Sequence, residues 1–396
     1  MLDTNQGASK RPTFKQVLIP KGSAPTSDGV ALFLSLLLKK TACREEYREW
    51  GLLVSIHSDL LKQVVGRDYS LVIESAIKAG LVERNDSYST GGDLSPQGAF
   101  TKSYRLTDNL RKADFEWYEL KRARPGKSRV TTTDQVGRKL AEMMEDVGMT
   151  DPDLLTSWDK ILWNSIQSGE FYANRCEYGR FHSSFTGLSK VARKRLVLKS
   201  TGEILVEIDV SCCQPLLLWA KAAEGMTAEE RSGFEPEYRS LCEHGELYSF
   251  LTSELLVMCK REGLSHEDFM ECRENIKGEL IRMFFQKQSG MQRNQLTSVV
   301  YDRFPGIVDY AWSAKAFDHK DLSRELQRME SRIMIDGVCS QLVEDHPEIV
   351  LVTVHDSILC TPSCFEAVEL EIIHQFRKLG VKPFLKTNNE QYRCHQ

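Results

Sequence analysis

Two carboxylates concentrate the chemistry of this chain. Leu205-Val206-Glu207-Ile208-Asp209-Val210-Ser211 and Val350-Leu351-Val352-Thr353-Val354-His355-Asp356-Ser357 are apolar, β-branched runs, each delivering an aspartate at the end of a strand-like segment. A desolvated carboxylate must be paired or metal-bound. Asp209 and Asp356, brought together from distant parts of the chain, make a site for two Mg²⁺ ions, with Mn²⁺ able to substitute. That is the arrangement that drives nucleotidyl transfer. Blander roles are open to each residue. Asp209 can cap a helix beginning at Gln214-Pro215, where proline suits a first helical turn, and His355-Asp356 can be a strand-ending turn. A metal-dependent phosphodiesterase would use the same two aspartates, but no His-rich ligand set accompanies them.

A third element lies between them. The spacing predicts a helix over Glu271–Gln288, in which Arg273, Lys277, Ile281 and Phe285 recur every four residues and share one broad face. Ile276, Leu280, Met283 and Phe284 fall largely on other faces and can anchor it. Two cations one turn apart, with an aromatic two turns on, suit a nucleoside triphosphate: the cations hold phosphates and the ring packs near the base.

In order and spacing these segments resemble the palm and fingers of family A DNA polymerases and the related single-subunit phage-type RNA polymerases. Asp209-Val210-Ser211 is similar to the first catalytic motif of that family, and His355-Asp356-Ser357 to the third. Arg273-x3-Lys277-x7-Phe285 matches the second motif, Arg-x3-Lys-x7-Tyr. Tyr178-Gly179-Arg180-Phe181-His182-Ser183-Ser184 resembles a Gly-Arg-x-Ser-Ser stretch that precedes the first motif, and Gly245-Glu246-Leu247-Tyr248 a Gly-Asp-Ile-Tyr/His segment that follows it.

The resemblance implies roles. Asp209, Asp356 and the backbone carbonyl of Val210 would hold the two metal ions. Arg273 and Lys277 would grip the triphosphate of the incoming nucleotide, and Lys277 would protonate the pyrophosphate. Phe285 would sit at the nascent pair, His355 at the primer end or a phosphate, and Arg180 in the primer–template minor groove. Arg193 and Arg195 would hold backbone phosphates. There are departures. Gln214 stands where the DNA-making relatives carry a glutamate against the sugar and the RNA-making ones a small residue. Phe285 replaces the usual tyrosine, and Ile281 a frequent aromatic. The bulk of Gln214 favours dNTPs; the His-Asp-Ser ending favours the RNA enzymes.

The elements that must position these residues give an α+β chain: a polymerase right-hand palm and fingers with a reduced thumb, preceded by a small winged-helix-like domain. Residues 1–28 read as a polar, disordered lead without the apolar core of a signal peptide. Within residues 29–118, helices over 31–40, 56–65 and 69–79 are followed by strands over 81–84 and 102–107. That is the order of a winged-helix module for nucleic acid. Residues 119–133, with Lys121-Arg122-Ala123-Arg124-Pro125-Gly126, read as a basic linker. Residues 134–396 would form the polymerase-like part, with 134–175 as the small thumb. A 3′–5′ exonuclease domain is not expected in these residues, which predicts low processivity unless the N-terminal domain or a separate processivity or initiator partner supplies grip.

The 396 residues carry a net charge of −4, so no global field draws nucleic acid to the chain. With no apolar run of about 18 residues, no membrane span is expected. Eleven scattered cysteines without a CxxC read as free thiols in a cytoplasmic setting. The compact pairing of a polymerase-like part with a winged-helix-like domain points to a bacterial cell and a phage- or plasmid-like element. A second reading keeps the scaffold and drops the catalysis: a DNA-binding replication initiator or regulator acting through the N-terminal domain.

Overall fold

The computed structural model describes residues 13–87, 89–90, 99–125, 129–167, 171–262 and 276–389. The chain divides into two compact units. The first takes Met1–Val130, Met149–Tyr172 and Ser183–Arg195; the second takes Thr131–Gly148, Ala173–His182 and Leu196–Gln396. No helix among the described residues is long and apolar enough to cross a membrane. The nine described cysteines are all free.

The first unit contains, in chain order, β1 (Thr13–Pro20), α1 (Asp28–Ala42), β2 (Val54–Ser55), α2 (Ser58–Val64), α3 (Tyr69–Lys78), β3 (Val82–Asn85), β4 (Ser103–Leu106) and β5 (Phe115–Pro125). Helix α1 starts at Ser27, whose hydroxyl accepts the Val30 N–H, and buries residues on nearly every side, as a core helix must. Its Phe33 meets Tyr104 of β4 edge-on, with ring centroids 5.5 Å apart. Helices α2 and α3 follow, and Gly80, at φ +70°, lets the chain leave α3. Strands β2, β4 and β3 then form one sheet in that order, antiparallel throughout. The helices and strands expected from the sequence are thus present within two or three residues of their expected ends. Within α3, Ile73 and Ala76 are buried while Leu71 is exposed.

The ends of this unit differ from expectation. Within the expected disordered lead, β1 pairs antiparallel with β5, which occupies much of the expected linker; Val17 faces Tyr118, Leu18 faces Trp117 and Ile19 faces Glu116. The reason is the short run Val17-Leu18-Ile19, which is fully buried and finds its partner about a hundred residues on. Lys121 and Arg122 stay exposed on β5. The expected thumb, 134–175, is also divided: helix Gln135–Met143 lies in the second unit and helix Ser157–Gln167 in the first.

The second unit is built on β6 (Val206–Ser211), α4 (Cys213–Ala222), α5 (Leu247–Glu262), α6 (Ile276–Phe285), α7 (Asp321–Ser331), β7 (Val352–Val354), β8 (Ser357–Cys360), α8 (Phe365–Arg377) and β9 (Phe384–Thr387). Its four strands make one antiparallel sheet in the order β7-β8-β6-β9. All three strands β6, β7 and β8 are almost wholly buried, as befits a sheet covered on both faces. α4 supplies Leu216, Leu217, Leu218 and Trp219, all buried, and α8 supplies Val368, Ile372 and Phe376. α7 runs directly into a π-helical stretch, Arg332–Cys339. Gly245, just before α5, has φ +69°, and a Cβ there would lie 2.5 Å from the ring of Phe384 on β9. Only glycine fits that turn.

Helix α6 depends on a buried cation. Lys315 is 3% exposed, and its ammonium donates to the carbonyl oxygens of Met283 and Gln286, the latter at 2.8 Å. Burial lowers its pKa to about 8. These carbonyls belong to the last turn of α6 and the residue just beyond it, where no intrahelical donor remains. Lys315→Met would leave them unpaired. Thermal or urea unfolding is expected to show a loss of about 1–3 kcal/mol. An unchanged midpoint would show that α6 ends without this cap.

Candidate active site

Pairing of β6 with β8 sets Asp209 opposite Ser357, the residue after Asp356. The Val210 N–H donates to the Asp356 carbonyl oxygen at 3.1 Å. The two aspartates therefore lie at the same end of neighbouring strands. Asp209 sits within β6, and helix α4 has Cys212 as its N-cap residue, so Asp209 is not the helix cap. His355-Asp356 is indeed a turn, the two-residue connection between Val354 and Ser357. Its first residue, His355, has φ +57°. A side chain that adopts this conformation costs roughly 1–2 kcal/mol, which a simple turn would avoid with glycine. The His355 ring meets that of His182 edge-on at 5.9 Å. Burial, and then the charge of Arg180, lower the pKa of His182. Below the turn, Ser357 Oγ is 2.9 Å from the buried Glu207 carboxylate and 3.0 Å from the Val354 carbonyl oxygen.

Asp356 is half-buried, and its carboxyl is pushed up from the ordinary 3.8 to about 7. Loss of solvent is the largest cause, followed by the negative charges of Glu330 and Asp209; Lys277 of α6 acts in the opposite sense. Burial, with Asp356 and Glu330 nearby, also raises the Cys213 thiol well above its usual range. Asp209, Asp356, Glu330 and Lys277 are thus one electrostatic cluster. Lys277 and Phe285 are exposed at opposite ends of the described α6, while Leu280, Met283 and Phe284 are buried, as the helical spacing predicts. Ile276 and Ile281 are partly exposed. Arg273 lies outside the described residues.

Glu330 is the residue that sequence reasoning missed. It is 2% exposed near the end of α7. One of its oxygens, Oε2, accepts from Arg180 Nη2 at 2.6 Å and from Gln214 Nε2 at 3.2 Å. The other, Oε1, is buried without a hydrogen-bond partner among the described residues, as are Gln214 Oε1 and Arg180 Nε. A signal existed: Leu322, Leu326 and Glu330 recur every four residues on the buried face of a strongly amphipathic helix. An acid on that face must be paired. Arg180 is delivered by a tight turn. Gly179, at φ +82°, leaves no space for a Cβ, which would sit 2.8 Å from Ser331 Oγ, and Arg175 Nε donates to the Gly179 carbonyl oxygen.

One of the expected phosphate contacts, Arg193, needs correction. Arg193 is 7% exposed and donates to the Leu188 carbonyl oxygen at 2.8 Å, because its helix turns that side chain inward. Arg195 lies 3.6 Å from Asp151. Both belong to the first unit. Lys190 and Lys194 are the solvent-facing cations of that stretch. Arg180, expected as a free minor-groove contact, is already paired with Glu330.

The donor set suits a hard divalent ion. Asp209 and Asp356 are oxygen ligands, and a cation between them would offset the crowding that raises Asp356. Among the described residues no group of three or more His, Cys, Asp or Glu is placed to hold a metal. Asp209 and Asp356, with the Val210 carbonyl expected beside them, would leave the rest of a cation's shell to substrate and water.

No family model matches the chain, and no curated protein matches it. Among solved structures, the POL domain of Pol1 from M. smegmatis, in complex with DNA primer-template and dNTP, is similar at 14% sequence identity with a TM-score of 0.38. The match covers 57% of this chain and 48% of that one, so the chain spans about half the length of that domain.

Since the folded Asp356 carboxyl titrates near 7 and the unfolded one near 3.8, the metal-free fold holds this proton more tightly than the unfolded chain. Its contribution to stability is complete below about pH 4 and is lost as pH rises through about 7. In EDTA at pH 8, Asp356→Asn is expected to unfold at a higher temperature than the native chain, by at most about 4 kcal/mol of added stability. Below pH 4 the two should coincide. A less stable Asn variant at pH 8 would contradict the crowding.

Proposed function

We propose that the protein is a Mg²⁺-dependent, template-directed nucleotidyltransferase that extends a nucleic-acid 3′-end, with dNTPs preferred. The observation that carries this reading is the meeting of Asp209 and Asp356 at one end of adjacent strands, opposite Lys277 of α6. A simple structural ion pair would match charges; here carboxylates outnumber the nearby lysine, and that excess suits a site that receives cations with its substrate.

In the reaction, the primer 3′-oxygen attacks the α-phosphorus of the incoming triphosphate. The new O–P bond forms as the bond to the bridging oxygen breaks, and pyrophosphate leaves. Bound Mg²⁺, or Mn²⁺ in its place, would supply activation of the 3′-hydroxyl and neutralisation of the triphosphate. Asp209, Asp356 and the Val210 carbonyl would hold it. Lys277 orients the triphosphate and donates a proton to the departing pyrophosphate, with Arg273 one turn before it on the expected helix gripping the same phosphates. Phe285, exposed at the far end of α6, packs at the nascent pair. His355, held in its strained turn, faces the primer end. Gln214 lies against the sugar.

A second reading is favoured by the first unit, where three helices, α1, α2 and α3, and the sheet of β2, β4 and β3 follow the layout of a winged-helix module. In the first reading this unit grips duplex; in the second it is the whole function, that of an initiator or regulator.

Primer extension on a labelled primer–template decides between them. With Mg²⁺ and dNTPs the native chain should extend the primer. Asp209→Ala and Asp356→Ala should abolish extension, and Lys277→Ala should slow it about a hundredfold. His355→Gly should leave stability equal or higher, because glycine suits a positive φ, yet extend more slowly. Duplex binding without extension, independent of Mg²⁺ and lost on deleting residues 1–118, would replace this reading with the second.

A further inference from the structure

We propose that Glu330 is the positioning residue for sugar choice: its buried carboxylate clamps Gln214 in place and so sets the discrimination between deoxyribo- and ribonucleotides. The proposal rests on the nucleotidyl-transfer reading and deepens it.

Glutamine is a poor barrier by itself. It is uncharged and has three rotatable bonds, so an untethered Gln214 would swing aside for an extra hydroxyl at little cost. The structure removes that freedom. Gln214 Nε2 donates to Glu330 Oε2 at 3.2 Å, and the same oxygen takes Arg180 Nη2 at 2.6 Å. An ionised carboxylate only accepts, so the amide must present its nitrogen to Glu330 and its carbonyl oxygen elsewhere. Both side chains therefore have a fixed direction. Glu330 is itself immobile: it is 2% exposed, at the end of α7, where the π-helical stretch begins. The Arg180 that pairs with it comes from a turn that only glycine at 179 permits. Three segments distant in sequence, 179–180, 214 and 330, converge on one carboxylate oxygen.

The orphaned atoms point the same way. Gln214 Oε1 and Glu330 Oε1 are buried acceptors with no donor among the described residues. Leaving two acceptors unpaired costs more than an apolar pair of the same shape. Geometry explains their retention: an amide held rigidly by its nitrogen keeps its bulk and its oxygen at one spot. A mere structural ion pair between Arg180 and Glu330 would not require Gln214 at all.

The test is the ratio of kcat/KM for a dNTP to that for the matching NTP, measured by single-nucleotide primer extension. Four proteins are needed: the native chain, Gln214→Ala, Glu330→Ala and the double variant. The native chain should prefer the dNTP. Gln214→Ala and Glu330→Ala should each lower the ratio about tenfold, and the double variant should fall no further, since both remove one device. Glu330→Gln keeps an acceptor oxygen for the amide and should restore the ratio to within about threefold of the native value; it also serves if the alanine variant does not fold. A purely structural Glu330 would slow both nucleotides equally and leave the ratio unmoved. An unchanged ratio in Glu330→Ala, additive losses in the double variant, or a native chain that accepts both sugars would each overturn the proposal while leaving nucleotidyl transfer standing. Absence of extension with either nucleotide in the native chain would remove the underlying reading, and this one with it.

Discussion

Crowded negative charge at the end of β6 and β8 is the constraint on which the second unit is organised. Strand pairing fixes the backbone there: Asp209 faces Ser357, and the Asp356 carbonyl accepts from Val210. Hydrophobic burial of β6 and β8 then holds Asp209 and the adjoining Asp356 half-buried. Neither aspartate can relocate without breaking the register, since a one-residue slip would turn every side chain of the strand to the other face. The fold therefore accepts a raised Asp356 carboxyl and surrounds it with the means to offset it. Lys277 of α6 supplies part of that offset.

That constraint explains features which otherwise look unrelated. Lys315 is buried among the carbonyl oxygens at the end of α6, far from solvent, and so fixes the helix that carries Lys277 and Phe285. Glu330 adds to the crowding at Asp356 and accepts from both Arg180 and Gln214. His355 holds a left-handed backbone that glycine would adopt more cheaply. Glu330 and His355 are local costs beside the same pair of strand ends, and functional sites commonly store strain and perturbed charge.

Much of this was legible in the sequence because the signals are local. Two β-branched runs ending in aspartate give the strands, and the four-residue recurrence of Lys277, Ile281 and Phe285 against Leu280 and Phe284 gives the helix and its buried face. The helices of the first unit are legible too, to within two or three residues of their ends. What was not legible depends on tertiary pairing. Val17-Leu18-Ile19 is too short to announce a strand until its partner at 115–125 is known, and that partner is disguised by Lys121-Arg122. Arg193 looks like a surface cation in a basic stretch, but its helix turns it inward to Leu188. Glu330 carried a readable clue, an acid on the apolar face of α7, yet its partners Arg180 and Gln214 are far away in sequence.

The central claim is that Asp209 and Asp356 together hold divalent metal. Anomalous diffraction from crystals of the full chain grown with Mn²⁺ and a non-hydrolysable nucleoside triphosphate tests it directly. The account predicts Mn²⁺ peaks within about 2.0–2.6 Å of carboxylate oxygens of both residues, absent from Asp209→Ala crystals grown alike. Mn²⁺ bound elsewhere, or carboxylates too far apart to share it, would contradict the account.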